Sequence, residues 1–253
     1  MKRLVSEKEF EINYYEINFR KELLITSLMN YFDDTATKQS EDIEMGIDYM
    51  KDMGLAWVLY RWDIDVYRYP MFREKIRVRT SAYSLREFYA YRIFDVVDED
   101  DNIVCKAKSV WLLIDRNKRK AKKITEDMYS MYGITKDDNK PLIIKKVKLP
   151  EKYTYEKHFD VRYSDIDTNR HVNNVKYVDW AIETVPLDIV LKCSLKNLNI
   201  TYKKEAVYGE TIHVCTEIKK KEDEYIAIHK ISNNENKKLC IIQTIWLNKK
   251  SAN

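Results

Sequence analysis

The segment Phe10-Glu-Ile-Asn-Tyr-Tyr-Glu-Ile-Asn18 is answered further along the chain by Phe159-Asp-Val-Arg-Tyr-Ser-Asp-Ile-Asp167. Phenylalanine, acid, β-branched residue, tyrosine, acid and isoleucine recur in register. Both copies alternate apolar and polar residues as a half-buried strand does. Helical spacing follows each copy. Leu24, Leu28, Phe32 and Ala36 recur every four residues in the first, and Val175, Val178, Ile182 and Val185 every three or four in the second, where Pro186 is the stop signal. Four β-rich stretches are then expected in each half: Trp57–Arg68, Lys75–Ser84, Phe88–Val97 and Ile103–Asp115, and again Leu195–Lys204, Thr211–Ile218, Tyr225–Ile231 and Leu239–Leu247. Polar turns at Asp98–Asn102 and Asn233–Lys238 stand at matching places, as do Trp111 and Trp246. Each half reads strand, long helix, four strands.

A helix with one apolar face can bury it against one side of an antiparallel meander. The expected fold class is therefore α+β: two tandem hotdog domains, each an antiparallel β-sheet wrapped around a long central α-helix. Residues 1–116 form the first expected domain and 158–253 the second. Residues 117–157, charged, without sustained periodicity and holding Gly133, Pro141 and Pro150, are the expected linker.

Composition narrows the chemistry. Of 253 residues, 45% are hydrophobic and 34% charged, enough apolar matter to exclude wholesale disorder. The only glycines, Gly46, Gly54, Gly133 and Gly209, are too far apart for a G-x-G-x-x-G or a Walker loop, so nucleotide-binding classes are disfavoured. No G-x-S-x-G is present, so a nucleophile elbow is excluded. Cys105, Cys193, Cys215 and Cys240 form no C-x-x-C, and the four histidines form no H-E-x-x-H. No metal site and no cofactor are expected. The cysteines read as small core residues in a reducing compartment. The stretch from Met1 to Tyr15 has charges but no apolar core, so no secretory signal is expected. No apolar run approaches the ~18 residues of a membrane span. The expected location is the cytoplasm. A net charge of +4 from 45 basic and 41 acidic residues is a mixed surface and argues against nucleic acid.

The two copies differ most in polar residues. The second carries Asp165-Ile-Asp167-Thr-Asn169-Arg-His171-Val-Asn173-Asn174 where the first has Glu16-Ile-Asn18-Phe-Arg-Lys-Glu22. All four histidines lie in the second half. Asp167, Asn169 and His171 alternate, so in an extended segment they would face one way. A carboxylate, a carboxamide and an imidazole so grouped can orient, polarise and exchange protons. They precede an expected helix start at Asn173, Asn174 and Val175, whose backbone N–H groups and dipole can hold an oxyanion. The plain alternative is that Asp167 or Asn173 caps the helix and His171 is a satisfied polar residue.

The stretch VRYSDIDTNRHVNNVKYVDWAIETVP (161–186) resembles the hallmark segment of the acyl-acyl carrier protein thioesterases of plants and bacteria, close to R-x-S-D-x-D-x-N-x-H-V-N-N-x-x-Y. Segments of the first half resemble the same family: Gly54-Leu-Ala-Trp57-Val-Leu, Arg68-Tyr-Pro70 and Ser109-Val-Trp111-Leu-Leu-Ile-Asp115. The resemblance implies tandem hotdogs, with catalysis in the C-terminal repeat and an acyl pocket shaped by the N-terminal one. It places the family's active-site aspartate, asparagine and histidine on Asp167, Asn169 and His171. A further glutamate, expected in a downstream strand, falls on Glu205 within Tyr202-Lys-Lys-Glu205-Ala206-Val-Tyr-Gly209-Glu210. Ala206 stands where plant members carry a cysteine once assigned as nucleophile. That departure excludes a Cys–His mechanism here and leaves water attack or a carboxylate nucleophile.

The implied reaction is hydrolysis of a fatty acyl thioester carried on the phosphopantetheine arm of acyl carrier protein (ACP), in fatty acid biosynthesis. The readings set beside it are an acyl-coenzyme A thioesterase and a non-catalytic acyl-binding module. The basic run Arg116-Asn-Lys-Arg119-Lys120-Ala-Lys122-Lys123 reads as a solvated loop or as a docking patch for the acidic carrier protein. A tandem repeat supplies in one chain the pair that single-domain relatives make by dimerising. A monomer and a homodimer of tandems are both open.

Overall fold

The computed structural model describes residues 4–135 and 139–249. The ends of the chain and residues 136–138 of the expected linker lie outside the described residues. The chain divides into two compact units. The first runs to Ile144 except for Arg61–Asp65, which cluster with the second, begun at Lys145.

In the first unit, β1 (Ser6–Glu11) leads through a 3-10 turn (Tyr14–Glu16) to α1 (Ile25–Asp42), followed by α2 (Ile47–Asp52). Then come β2 (Leu55–Val66), β3 (Lys75–Arg86), β4 (Tyr89–Val97), β5 (Ile103–Asp115), β6 (Lys120–Ala121) and α3 (Glu126–Met131). The strands lie in the order β1-β3-β4-β5-β2, with β6 paired to β5. Helix α1 buries Leu28, Met29, Phe32, Thr35, Ala36 and Gln39 and packs against β1 and β3. Leu28, Met29 and Phe32 are wholly excluded from water, each contributing roughly 1.5–3 kcal/mol.

The second unit repeats the plan. It comprises β7 (Tyr155–Asp160), a 3-10 turn (Tyr163–Asp165), α4 (Asn174–Glu183), α5 (Leu187–Lys192), β8 (Cys193–Tyr202), β9 (Thr211–Lys221), β10 (Glu224–Asn233) and β11 (Lys238–Asn248). Its sheet path, β7-β9-β10-β11-β8, is the path of the first unit element for element. Helix α4 buries Val175, Tyr177, Val178, Trp180 and Ala181 and packs on β9, β10 and β11. Even a detail recurs: Trp111 Nε1 donates to Ser109 Oγ and Trp246 Nε1 to Thr244 Oγ1, both at 2.8 Å. Both units are α+β hotdogs, as the repeat implies.

Three expectations are corrected. The repeated segments are strand only at their start, because each chain turns into a 3-10 helix at Tyr14 and Tyr163. The expected linker is part structure: β6 pairs with β5, and Ile124, Met128, Tyr132 and Ile134 are buried with Met45, Met50, Leu55, Leu85 and Leu113. Helix α4 ends at Glu183 with Thr184 as its C-cap, short of Pro186, which instead serves as N-cap residue of α5.

Candidate active site

The polar motif begins with a buried anchor. Asp165 is fully excluded from water, and its carboxylate accepts from the Arg162 guanidinium (Nη2–Oδ1 3.0 Å) and the Arg162 backbone N–H (2.9 Å). Burial alone would raise this carboxyl, but the Arg162 side chain and backbone N–H prevail and hold it below the ordinary range. Its backbone carbonyl accepts from Asn173 N–H at 2.8 Å, which fixes where α4 begins.

Between these points the chain makes a turn, not the extended segment expected. Asp167 N–H donates to the His171 carbonyl (2.8 Å) and Arg170 N–H to the Asp167 carbonyl (3.0 Å), while Arg170 adopts a left-handed φ of 64°. The half-buried Asp167 carboxylate folds back on the turn's own backbone, with Oδ1 accepting from the backbone N–H of Asn169 (2.8 Å) and of His171 (3.4 Å). Asn169 is exposed, and its side-chain amide reaches Asp167 Oδ2 only at 3.5 Å. Asp167 therefore grips the His171 backbone, and no bond runs from it to the imidazole.

The first unit builds the same turn. Asn18 Oδ1 accepts from Arg20 N–H (2.8 Å) and Glu22 N–H (3.2 Å), and Lys21 takes a φ of 62°. There the charges close on themselves, since Arg20 Nε lies 2.8 Å from Glu22 Oε2. The second unit replaces that arginine with Asn169 and that glutamate with His171. A shared loop geometry thus carries ion-pair residues in one copy and an imidazole in the other.

The imidazole has a partner. His171 Nε2 lies 3.3 Å from Glu205 Oε2, with 29% and 41% of the two side chains exposed, so both are open to water. Glu205 lies beyond the end of β8, in the loop to β9, not within a strand as expected. Three bonds bring it to His171. Val172 N–H donates to the Ala206 carbonyl (2.9 Å), Ala206 N–H donates to the Tyr177 hydroxyl (2.9 Å), and the Tyr202 hydroxyl donates to the Asn174 carbonyl (2.9 Å). Burial pushes the Tyr177 hydroxyl well above its ordinary value, so it stays protonated. Tyr177 and Tyr202 are positioning residues the sequence reading left without a role. Tyr177 is the final tyrosine of the hallmark pattern, which is the signal that could have found it. In the first unit the matching bond runs from Leu23 N–H to the Pro70 carbonyl (2.8 Å), which sets Tyr69 where the second unit has Glu205.

The expected oxyanion donors are fewer than three. Asn173 N–H is engaged by Asp165, and Val175 N–H by the capping Asn173 side chain (3.0 Å). The Asn174 N–H is the remaining donor at this helix start. Arg119, Lys120, Lys122 and Lys123 belong to the first unit, exposed on the β5–β6 hairpin and just after it.

Two such units in one chain, with a His–Glu pair in the second alone, define a tandem hotdog protein. Residues 3–132 match the acyl-ACP thioesterase N-terminal domain and residues 148–248 the acyl-ACP thioesterase C-terminal domain, and the chain belongs to that family. It is 23% identical over 235 residues to the chloroplastic oleoyl-acyl carrier protein thioesterase of Coriandrum sativum, covering 86% of this chain and 63% of that one. It is 28% identical over 217 residues to the chloroplastic palmitoyl-acyl carrier protein thioesterase of Cuphea hookeriana, covering 80% and 52%. The chain thus spans less than two thirds of these curated relatives. Among solved structures, a Lactobacillus plantarum protein described as an oleoyl thioesterase superposes with a TM-score of 0.92 at 24% identity, over 99% of this chain and 98% of that one. The 12:0-ACP thioesterase from Umbellularia californica gives 0.84 at 23%, over 97% and 94%. At such identities the likeness speaks for the fold.

Proposed function

We propose that this protein hydrolyses fatty acyl-ACP thioesters to free fatty acid and holo-carrier protein. The observation that carries the proposal is the His171–Glu205 pair, which the first unit lacks, beside the start of α4. Family membership and the curated relatives' names support the substrate class.

In the proposed mechanism the His171–Glu205 pair takes a proton from water, and the resulting hydroxide adds to the thioester carbonyl. The Asn174 N–H and the positive end of α4 stabilise the oxyanion. Collapse breaks the C–S bond, and the proton held by the pair returns to the departing phosphopantetheine thiolate. Asp167 is assigned a positioning role through the His171 backbone, and Asn169 the placing of carbonyl or water. None of the four cysteines is in a disulfide, which supports a reducing cytoplasm as the location. No described helix is long and apolar enough to cross a membrane.

Asn18 performs in the first unit the backbone role of Asp167, so a carboxamide suffices for the turn. Asp167→Asn should therefore keep kcat within about tenfold, or about 1.4 kcal/mol, whereas Asp167→Ala should lose distinctly more. Equal losses in the two variants would show that the charge itself acts.

The exposed Arg119, Lys120, Lys122 and Lys123 are proposed to steer the acidic carrier protein. Reversing charge at Arg119 and Lys122 should raise KM for the carrier-bound substrate by about tenfold at low salt, and little at high salt. The same acyl group on coenzyme A should show no such change. Comparing rates on these two carriers tests the proposed function itself, and light scattering of the purified chain separates a monomer from a homodimer.

A further inference from the structure

A second cluster of chemistry-bearing side chains lies on the edge strand β7 of the second unit and its neighbour β9, sharing no residue with the His171–Glu205 pair. His158 on β7 stands directly opposite His213 on β9. Their rings meet edge to face with centroids 4.2 Å apart. Glu156 lies two residues before His158, on the same face of β7, and its Oε1 is 3.4 Å from His158 Nε2. One donor atom from each of the three residues falls within 4.8 Å of the others. Asn234 Oδ1 lies 3.1 Å from His213 Nε2.

We propose that Glu156, His158 and His213 bind one divalent transition-metal ion of the zinc type. Two imidazoles and one carboxylate suit zinc, copper or nickel, whereas magnesium and calcium require a shell of oxygens that one carboxylate does not supply. Three protein donors leave a position for water, as in open zinc sites. Metal–ligand bonds of about 2.0–2.2 Å require donors closer together than 4.8 Å. Glu156 and His158 are exposed, so rotation of their side chains can draw the set in. The facing register of β7 and β9 holds the two histidine backbones together beforehand, which lowers the ordering cost of binding. Asn234 is placed to hold one ring nitrogen of His213 and present the other, the usual orientation of a ligating imidazole.

The probe is zinc chloride titrated calorimetrically into the full chain in a non-coordinating buffer. One zinc per chain is expected. Losing an outer partner of a metal ligand costs about 10–100-fold in affinity, so His158→Ala and His213→Ala should each weaken binding by about 100-fold or more. Glu156→Gln should weaken it less. These side chains are largely at the surface, so circular dichroism of the variants should be unchanged, and thioester hydrolysis should be unaffected by His158→Ala. His171→Ala should leave the zinc stoichiometry intact. Equal binding by the wild-type chain and the His158→Ala/His213→Ala double variant would overturn the proposal. So would absence of zinc uptake by the wild-type chain, or its loss in His171→Ala alone.

Discussion

Replacing His171 with alanine should lower kcat on an acyl-ACP substrate by about 10²–10⁴-fold, the range of positioned general acid–base groups, with little change in KM. Glu205→Gln should fall in the same range. In the proposed mechanism these two side chains, 3.3 Å apart, act on one proton, so the double variant should be little worse than either single one. Additive losses would mean that each residue works alone and that the contact between them is incidental. Folding is not at risk in either change. Both side chains are partly exposed, and the loops that carry them are held by backbone bonds of Asp165, Val172 and Ala206. A wild-type rate in either variant would remove that residue from the chemistry.

The second large effect concerns stability and a different histidine. His229 on β10 is fully buried. Its Nδ1 lies 2.7 Å from Thr216 Oγ1 and 3.2 Å from Thr184 Oγ1, and its Nε2 lies 3.3 Å from Thr244 Oγ1. Hydroxyls can donate or accept, so they satisfy a neutral imidazole but bring no counter-charge to a protonated one. Burial accordingly pushes the His229 pKa down from 6.5 to about 3.

The sign follows from linkage. Below the unfolded value the unfolded chain takes up a proton that the native chain refuses, so stability falls as pH drops through 6.5 and levels off near 3. Between pH 7 and pH 5 the loss from this group should be about 2 kcal/mol, within a limit of about 4–5 kcal/mol at still lower pH. His229→Gln should be less stable at neutral pH yet lack this component of the slope. Urea unfolding of both chains at the two pH values measures it. An equal slope in the two would mean that His229 is protonated in the fold, or is not the group responsible.

The repeat at Phe10 and Phe159 was the most informative feature of the sequence, because period and order of elements are properties of side-chain pattern. The core faces of α1 and α4 were readable in part for the same reason: Leu28, Phe32, Ala36, Val175 and Val178 are buried as expected, but Leu24 is exposed before α1, Ile182 is half-buried and Val185 lies beyond α4. Strand β5 was read at its full bounds. Helices α2, α3 and α5 were not. Each has six residues, too few for a helical period to stand out from apolar runs. The turn from Asp167 to His171 was hidden differently. Its left-handed residue is Arg170, and Lys21 in the first copy, where a glycine would have announced it. Asp167, Asn169 and His171 stood out by pattern and Glu205 only through the family resemblance, but the engagement of Asn173 and Val175 N–H groups could not be read, since backbone bonding leaves no trace in residue identity. The pairing of His171 with Glu205 also depends on tertiary bonds through Tyr177 and Ala206, which bring together loops far apart in sequence.

The central claim is that the second unit delivers water to a carrier-bound acyl thioester. It is tested most directly by incubating the purified chain with a panel of acyl-ACPs, and with the same acyl groups on coenzyme A, in isotopically labelled water. Mass spectrometry then follows the released acid and the carrier. The expected result is faster release from ACP, one labelled oxygen in the fatty acid carboxyl, free holo-carrier thiol, and loss of all three in His171→Ala. A clear preference for coenzyme A, or release that persists undiminished in the His171→Ala/Glu205→Gln chain, would contradict it.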